Sequence, residues 1–326
     1  MTFILCYLRQ FVYQKSLIGG FITGKIYFVF DNGIKSQMEL KIMSKKIAIV
    51  SDSTGCLTED LLKKHNIYTS YLMIIFGTDS YQEFKEVSPA KFIELSAAQK
   101  ELPTTSQPSP GLTVEIYKQI FAEGYDEIIH LTISSQLSGS YTSAMTAAEM
   151  VDASKIHVFD TKTVAYPQGA LAIEAAQFVK AGLSVDEIKT KLERLKENMA
   201  LIAAIDDMTN LKKGGRVSAI SASLGSVLSI KPIIALSPEG TLAAAGKVRT
   251  FKKAIGFLID EVKQANLDAA KDEVGILHLE NPEAAAQLKA EVLAIYPGIK
   301  ILELPLSLVV SVHAGPGAAA IGWIKK

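Results

Sequence analysis

From residue 46 onward, short apolar runs alternate with amphipathic stretches. Residues 46–50 form an apolar run ending in Ser51-Asp52-Ser53-Thr54, which predicts a buried first strand feeding a polar turn. Residues 68–75, 127–133 and 155–160 read as further strands. Helical spacing marks residues 59–65, 90–99 and 112–123, the last with Leu112, Ile116, Ile120 and Phe121 on one face. Buried strands separated by helices predict a parallel sheet with helices on both faces, a three-layer α/β/α domain.

The second half has a different pattern. Two helical stretches, 168–180 and 185–197, precede apolar runs at 200–205, 232–236, 242–248, 274–279, 300–304 and 309–313. Helical patterns at 218–228, 252–264 and 282–295 intervene. Ser237-Pro238-Glu239-Gly240 joins two of the runs closely enough for an antiparallel hairpin. A mixed sheet covered by helices is expected. At 326 residues the chain exceeds what one core usually organises. We divide it into a first α/β domain at 44–165 and a second at 166–326.

Residues 1–43 differ in character from the rest of the chain, being rich in aromatic and β-branched residues interrupted by Gly19-Gly20 and Gly24. No run there reaches the roughly 20 apolar residues that span a bilayer, and Arg9 and Lys15 spoil a signal-peptide reading. We expect residues 1–43 to be a leader mis-assigned from upstream sequence, with native translation starting around Met43. A membrane-associating extension is the alternative.

Charge narrows the function. Lys+Arg and Asp+Glu balance at 34 each, so no broad basic field invites nucleic acid, and any anion must be held locally. Cys6 and Cys56 form neither a metal spacing nor a disulfide framework, which suits a cytoplasmic protein. No metal or cofactor motif is present.

Four polar motifs carry the candidate chemistry. Ser134-Ser135-Gln136-Leu137-Ser138-Gly139-Ser140 follows a strand and opens a helix, where hydroxyls, backbone N–H groups and the helix dipole suit an anion. The plain structural reading makes Ser138 a helix cap. Thr104-Thr105-Ser106-Gln107-Pro108-Ser109 lies in a proline-stiffened loop whose Thr105 and Ser106 hydroxyls suit a carboxylate, or which merely caps the next helix. Leu211-Lys212-Lys213-Gly214-Gly215-Arg216 lacks the spacing of a nucleotide loop; Arg216 suits a bidentate anion contact or simply a solvated turn. His313-Ala314-Gly315-Pro316-Gly317 ends the last apolar run, and its imidazole can donate to a carboxylate, more strongly once protonated. The small side chains of 218–228 either allow close packing or leave room for a lipid chain.

In this order, with Asp52-Ser53-Thr54 ahead of them and Leu224-Gly225-Ser226-Val227-Leu228-Ser229-Ile230-Lys231-Pro232 between the last two, the motifs resemble the DegV family over residues 44–326. The resemblance implies a parallel α/β domain, a second domain around a six-stranded mixed sheet, and a long-chain fatty acid such as palmitate held between them. It implies that Thr105 and Ser138 bind the carboxylate, with Ser106, Gly139 and His313 near it. It further implies that Arg216 serves acyl-phosphate formation by a separate ATP-dependent fatty acid kinase, the chain itself not being an enzyme; transient membrane contact fits that role. Serine stands at Ser140 where threonine is common in the family. Two competing readings are a lipid ester hydrolase using Ser138 and His313, oriented by Asp52 or Asp160, and a free-standing phosphotransferase suggested by related folds.

Overall fold

The structure, a computed structural model, describes the backbone of strands within 8–43 and residues 45–99, 101–216 and 230–326. The helix expected at 218–228 lies outside the described residues. Strands β1 (Leu8–Ile18), β2 (Phe21–Phe30) and β3 (Lys35–Met43) form an antiparallel sheet of their own.

The first half of the chain is built on β4 (Ile47–Asp52), β5 (Ile67–Ser70), β9 (Glu127–Thr132) and β10 (Ile156–Asp160), all parallel, in the order β10-β9-β4-β5. Helices α1 (Glu59–His65), α2 (Pro89–Ala98), α3 (Pro110–Ala122) and α4 (Ser140–Val151) belong to this half. The period-2 alternation of a strand sorts its side chains between two layers. Ala48 and Val50 of β4 pack with Val114, Tyr117 and Ala147 of α3 and α4. Ile47 and Ile49 face the opposite core, which contains Leu171 and Ile173 of α5 (Tyr166–Lys180).

The structure corrects three expectations in this half. The apolar run 68–75 is two strands in different sheets: β5 ends at Ser70, and β6 (Met73–Phe76) pairs antiparallel with β7 (Asp79–Gln82) and β8 (Thr104–Ser106). The break falls at Leu72, whose N–H donates to Ser53 Oγ and whose carbonyl accepts from Glu83 N. The Thr104–Ser106 segment is accordingly a strand rather than a loop. On α3 the buried face is Thr113, Val114, Tyr117 and Ile120, while Leu112 is 42% exposed. Ser109 caps that helix by accepting from Leu112 N, which sets its start upstream of the expected face.

The second sheet has the expected six strands, in the order β13-β12-β11-β16-β14-β15. They are β11 (Met199–Ala204), β12 (Lys231–Leu236), β13 (Leu242–Val248), β14 (Glu273–His278), β15 (Lys300–Pro305) and β16 (Ala319–Ile324). β14 and β15 are parallel; every other pairing is antiparallel, including the β12–β13 hairpin across Pro238. After α6 (Val185–Lys196) and α7 (Thr209–Lys213), helices α8 (Phe251–Gln264) and α9 (Pro282–Ile295) cover the outer face.

One of the six is not the run expected. Residues 309–313 belong to helix α10 (Leu308–Ala314), whose N-cap Ser307 accepts from Val310 N. Capping and burial of Leu308, Val309 and Val312 outweigh the strand preference of the valines. The sixth strand is instead the alanine- and glycine-rich β16. At Gly322 α5 comes close, because a Cβ there would lie 3.1 Å from the Pro167 ring. A Cβ on the paired Gly275 of β14 would overlap the Tyr166 ring at 1.9 Å. Helix α5 thus seats its first turn on the second sheet while its flank covers the first.

Candidate functional site

An apolar cavity, partly continuous with solvent, lies between the two sheets. The period-2 pattern of the second sheet forms its floor. Leu201 and Ala203 of β11, Ile234 and Leu236 of β12, and Ala320 of β16 line it. The intervening Ile202, Ala204, Ile233, Ala319 and Ile321 point into the outer core beneath α8 and α9. Opposite the floor, Leu72, Ile133, Val164 and Ala165 come from the first half, and Leu306, Val309 and Val310 from around α10. The walls are therefore overwhelmingly apolar.

One region of the wall is polar, and all four motifs contribute to it. Thr105 and Ser106 on β8, Ser138 in the turn before α4, Arg216 after α7 and His313 on the last turn of α10 line the cavity. The 2.8 Å contact between Thr105 Oγ1 and His313 Nε2 joins two motifs 208 residues apart. Ser138 Oγ accepts from Ser140 N at 3.2 Å and shares a hydrogen bond with Ser140 Oγ at 2.9 Å. Gly139 is the N-cap of α4, so Ser138 does not itself occupy that position. A side chain at Gly139 would press on Gln107, which also lines the cavity. Arg216 is exposed, its Nη1 donating to Gly214 O at 2.6 Å and its Nε to Leu137 O at 3.4 Å.

His313 is neutral. Burial pushes its pKa down to about 4, and the Arg216 charge adds to the effect. The expected charge-strengthened donation by an imidazolium is therefore absent at neutral pH in this environment. Among the described residues, the buried Nδ1 has no hydrogen-bond partner. A buried unpaired N–H costs more than an unpaired ring nitrogen, so the proton belongs on Nε2. His313 Nε2–H then donates to Thr105 Oγ1, and the Thr105 hydroxyl keeps its own proton for an acceptor in the cavity.

Sequence reasoning missed the part played by Gly214. A Cβ at that position would lie 2.2 Å from His313 Nδ1, so only glycine lets the α7 turn close over the imidazole. The adjacent glycines of the Lys-Lys-Gly-Gly-Arg motif were the available signal. Asn210, on α7, was missed as well; its Nδ2 donates to Val312 O at 2.9 Å and ties α7 to α10.

The hydrolase constellation is not assembled. Ser138 Oγ pairs with Ser140, and His313 Nε2 with Thr105. Asp52 is buried and accepts from Ile133 N at 2.7 Å, Gln168 Nε2 at 2.6 Å, Thr54 N and Thr54 Oγ1, tying β4 to β9 and α5. Asp160 accepts from Ser135 N, Ser135 Oγ and Lys162 N. Neither carboxylate orients the imidazole. Among the described residues no group of three or more His, Cys, Asp or Glu is placed to hold a metal, and no helix is long and apolar enough to cross a membrane.

Fold and site together define an α/β protein with a parallel four-stranded sheet, a six-stranded mixed sheet and an apolar cavity with one polar region. The chain belongs to the DegV family: a family model described as the DegV family of uncharacterised proteins matches residues 46–326. Protein DegV of Bacillus subtilis is 32% identical over 281 residues, 86% of this chain and 99% of that protein. The DegV domain-containing protein BH3627 of Halalkalibacterium halodurans is 32% identical over 278 residues, 85% of this chain and 98% of that one. A DegV family protein from Thermus thermophilus, described for its fatty acid binding, superposes with a TM-score of 0.80 at 29% identity, covering 86% of this chain and 100% of that one. The crystal structure of Bacillus subtilis DegV, described as a fatty acid binding protein, gives a TM-score of 0.78 at 34% identity over 87% of this chain and 100% of its own.

Proposed function

We propose that this protein binds a long-chain fatty acid, such as palmitate, with the acyl chain in the inter-domain cavity and the carboxylate at Thr105 and Ser138. The observation that carries this reading is the pairing of a large apolar cavity with a single polar region bearing hydroxyl donors. Fatty acid binding by the Bacillus subtilis and Thermus thermophilus relatives supports it. Burying a dozen methylenes at about 0.8 kcal/mol each provides roughly what a micromolar or tighter complex needs. The polar groups then set orientation. Thr105, oriented by the neutral His313, donates to one carboxylate oxygen; Ser138 and the N–H groups at the start of α4 face the other. Ser106 and Gly139 complete the surround.

Arg216 is exposed beside this region, available to a phosphoryl group or a partner surface. The finer reading is that the chain presents the bound carboxylate to an ATP-dependent fatty acid kinase in the cytoplasm and holds the acyl phosphate, contributing no catalytic residue. Denaturing the purified protein should release about one equivalent of fatty acid, identified by mass spectrometry. Protein that releases none, and binds no added palmitate, would rule the reading out. Arg216→Ala should impair acyl-phosphate formation in the presence of the kinase more than it weakens palmitate binding; equal losses would remove its separate role.

A further inference from the structure

Glu83 follows β7, is fully buried, and is absent from the cavity wall. Its Oε1 accepts from Ser53 Oγ at 2.6 Å, just past the end of β4. Its Oε2 accepts from Ser307 Oγ at 2.7 Å and from Val309 N at 3.0 Å, at the start of α10. One carboxyl group thus joins the first half of the chain to the helix that carries His313. Helix α10 packs on β6 and β8. The small β7-β6-β8 sheet therefore holds it at both ends, with Glu83 at the first turn and Thr105 at the last.

We propose that Glu83 is a positioning residue for the head-group site: its buried carboxyl bridges the end of β4 to α10, fixes α10 against the β6–β8 sheet, and so sets the His313–Thr105 pair. The inference rests on the fatty acid reading for its consequence, though not for its geometry. All three groups facing Glu83 are donors. Ser53 Oγ already accepts from Leu72 N, and Ser307 Oγ from Val310 N. These three donors lower the carboxyl's pKa, but by less than its burial raises it. The titratable groups around it are Asp52, whose charge opposes ionisation, and the Cys56 thiol, whose Sγ accepts from Ser307 N. No cation among the described residues pairs with Glu83. Burial, with Asp52 adding to it, raises its pKa to about 7. Burial therefore favours the protonated carboxyl in the docked arrangement, and loosening of α10 is expected as Glu83 ionises above about pH 7.

The test uses the full chain and two readouts, between about pH 5.5 and about pH 8.5. The first is NMR of the labelled His313 ring, and the second is calorimetric titration with palmitate. The wild type should show a His313 inflection near pH 7 and about a tenfold loss of palmitate affinity toward the alkaline side, where the buried carboxyl takes up its charge. Glu83→Gln, which lacks the charge, should show neither inflection nor pH-dependent loss, and should bind at all pH values as the acid form does. An inflection that persists in Glu83→Gln, or a wild type without one, overturns the proposal. Failure of the wild type to bind palmitate while the inflection disappears in Glu83→Gln overturns the fatty acid reading and upholds the positioning role. Ser307→Ala provides a second variant: removing a donor to the carboxylate should move the inflection to higher pH, and an unmoved inflection counts against Glu83.

Discussion

At the scale of single residues, the site depends on small geometric permissions around one imidazole. Among the described residues, Thr105 is the side chain hydrogen-bonded to His313. Thr105→Val keeps the shape of the residue while removing both the acceptor for Nε2–H and the donor for a carboxylate. Palmitate affinity should fall by about 1.5–3 kcal/mol, the range for a hydrogen bond to a charged group. Calorimetry alongside Ser138→Ala would check this, and a Thr105→Val variant with wild-type affinity would remove the carboxylate from β8. Gly214→Ala should be as damaging without touching any polar group. Its methyl would lie 2.2 Å from Nδ1, so the imidazole or the α7 turn must move, and the His313 ring resonances should shift in a chain that is otherwise folded. Thr105, Ser138 and His313 were legible in the sequence because hydroxyl, glycine and imidazole clusters stand out locally. Glu83 was not, because its role exists only through Ser53 and Ser307, which lie 30 and 224 residues away.

At the scale of elements, the cavity floor follows from the cross-strand register of β11, β12 and β16. Ala203 lies between Ile234 and Ala320 in one row across the sheet. The Leu201 row beside it runs into Gly322 and Gly275, which are covered by Pro167 and Tyr166 of α5. The alanine pair is thus the open part of the floor, with α5 closing one side. Ala203→Leu should fill that space and displace two or three methylenes of a long chain, costing about 2 kcal/mol of palmitate affinity. It should cost a twelve-carbon acid less. Affinities measured across a series of chain lengths check this, and an equal loss for all lengths would put the acyl chain elsewhere. The same strands show why some of the fold escaped the sequence. Periodicity located β4, β9, β10 and five strands of the second sheet from their apolar runs. β16 was missed because it carries alanine and glycine where a strand would ordinarily show branched residues: Gly322 lies under Pro167 of α5, and Ala320 lines the cavity. Residues 309–313 were read as a strand because Val309, Val310 and Val312 carry that preference, while the Ser307 cap and the contacts of α10 with β6 and β8 are set by the tertiary fold.

At the scale of the whole molecule, buried titratable groups oppose one another in their effect on stability. His130, hydrogen-bonded through Nδ1 to Tyr117, has its pKa lowered to about 3 by burial, and His313 to about 4. Both are protonated more readily when unfolded, so the stability they contribute is present above about pH 6.5 and is lost as the pH falls. Glu83 is raised from 4.5 to about 7, so its folded state holds a proton that the unfolded chain releases. Its contribution is present below about pH 4.5 and is lost as the pH rises through about 7. Asp52, raised by burial, acts in the same direction at lower pH. Between about pH 4.5 and about pH 6.5 Glu83 therefore offsets one of the two histidines, and the wild type should lose stability on acidification less steeply than the histidines alone would dictate. Glu83→Gln removes one side of the balance. Acidification from about pH 7 to about pH 5 should cost this variant more stability than the wild type, by about 2 kcal/mol. His313→Gln should change the slope in the opposite direction. Urea denaturation at the two pH values measures both slopes. Parallel slopes in the wild type and Glu83→Gln would mean that Glu83 is already ionised in the folded protein well below neutrality. Glu83 would then bridge to α10 as a carboxylate throughout the physiological range, and its ionisation could not loosen the helix near neutral pH.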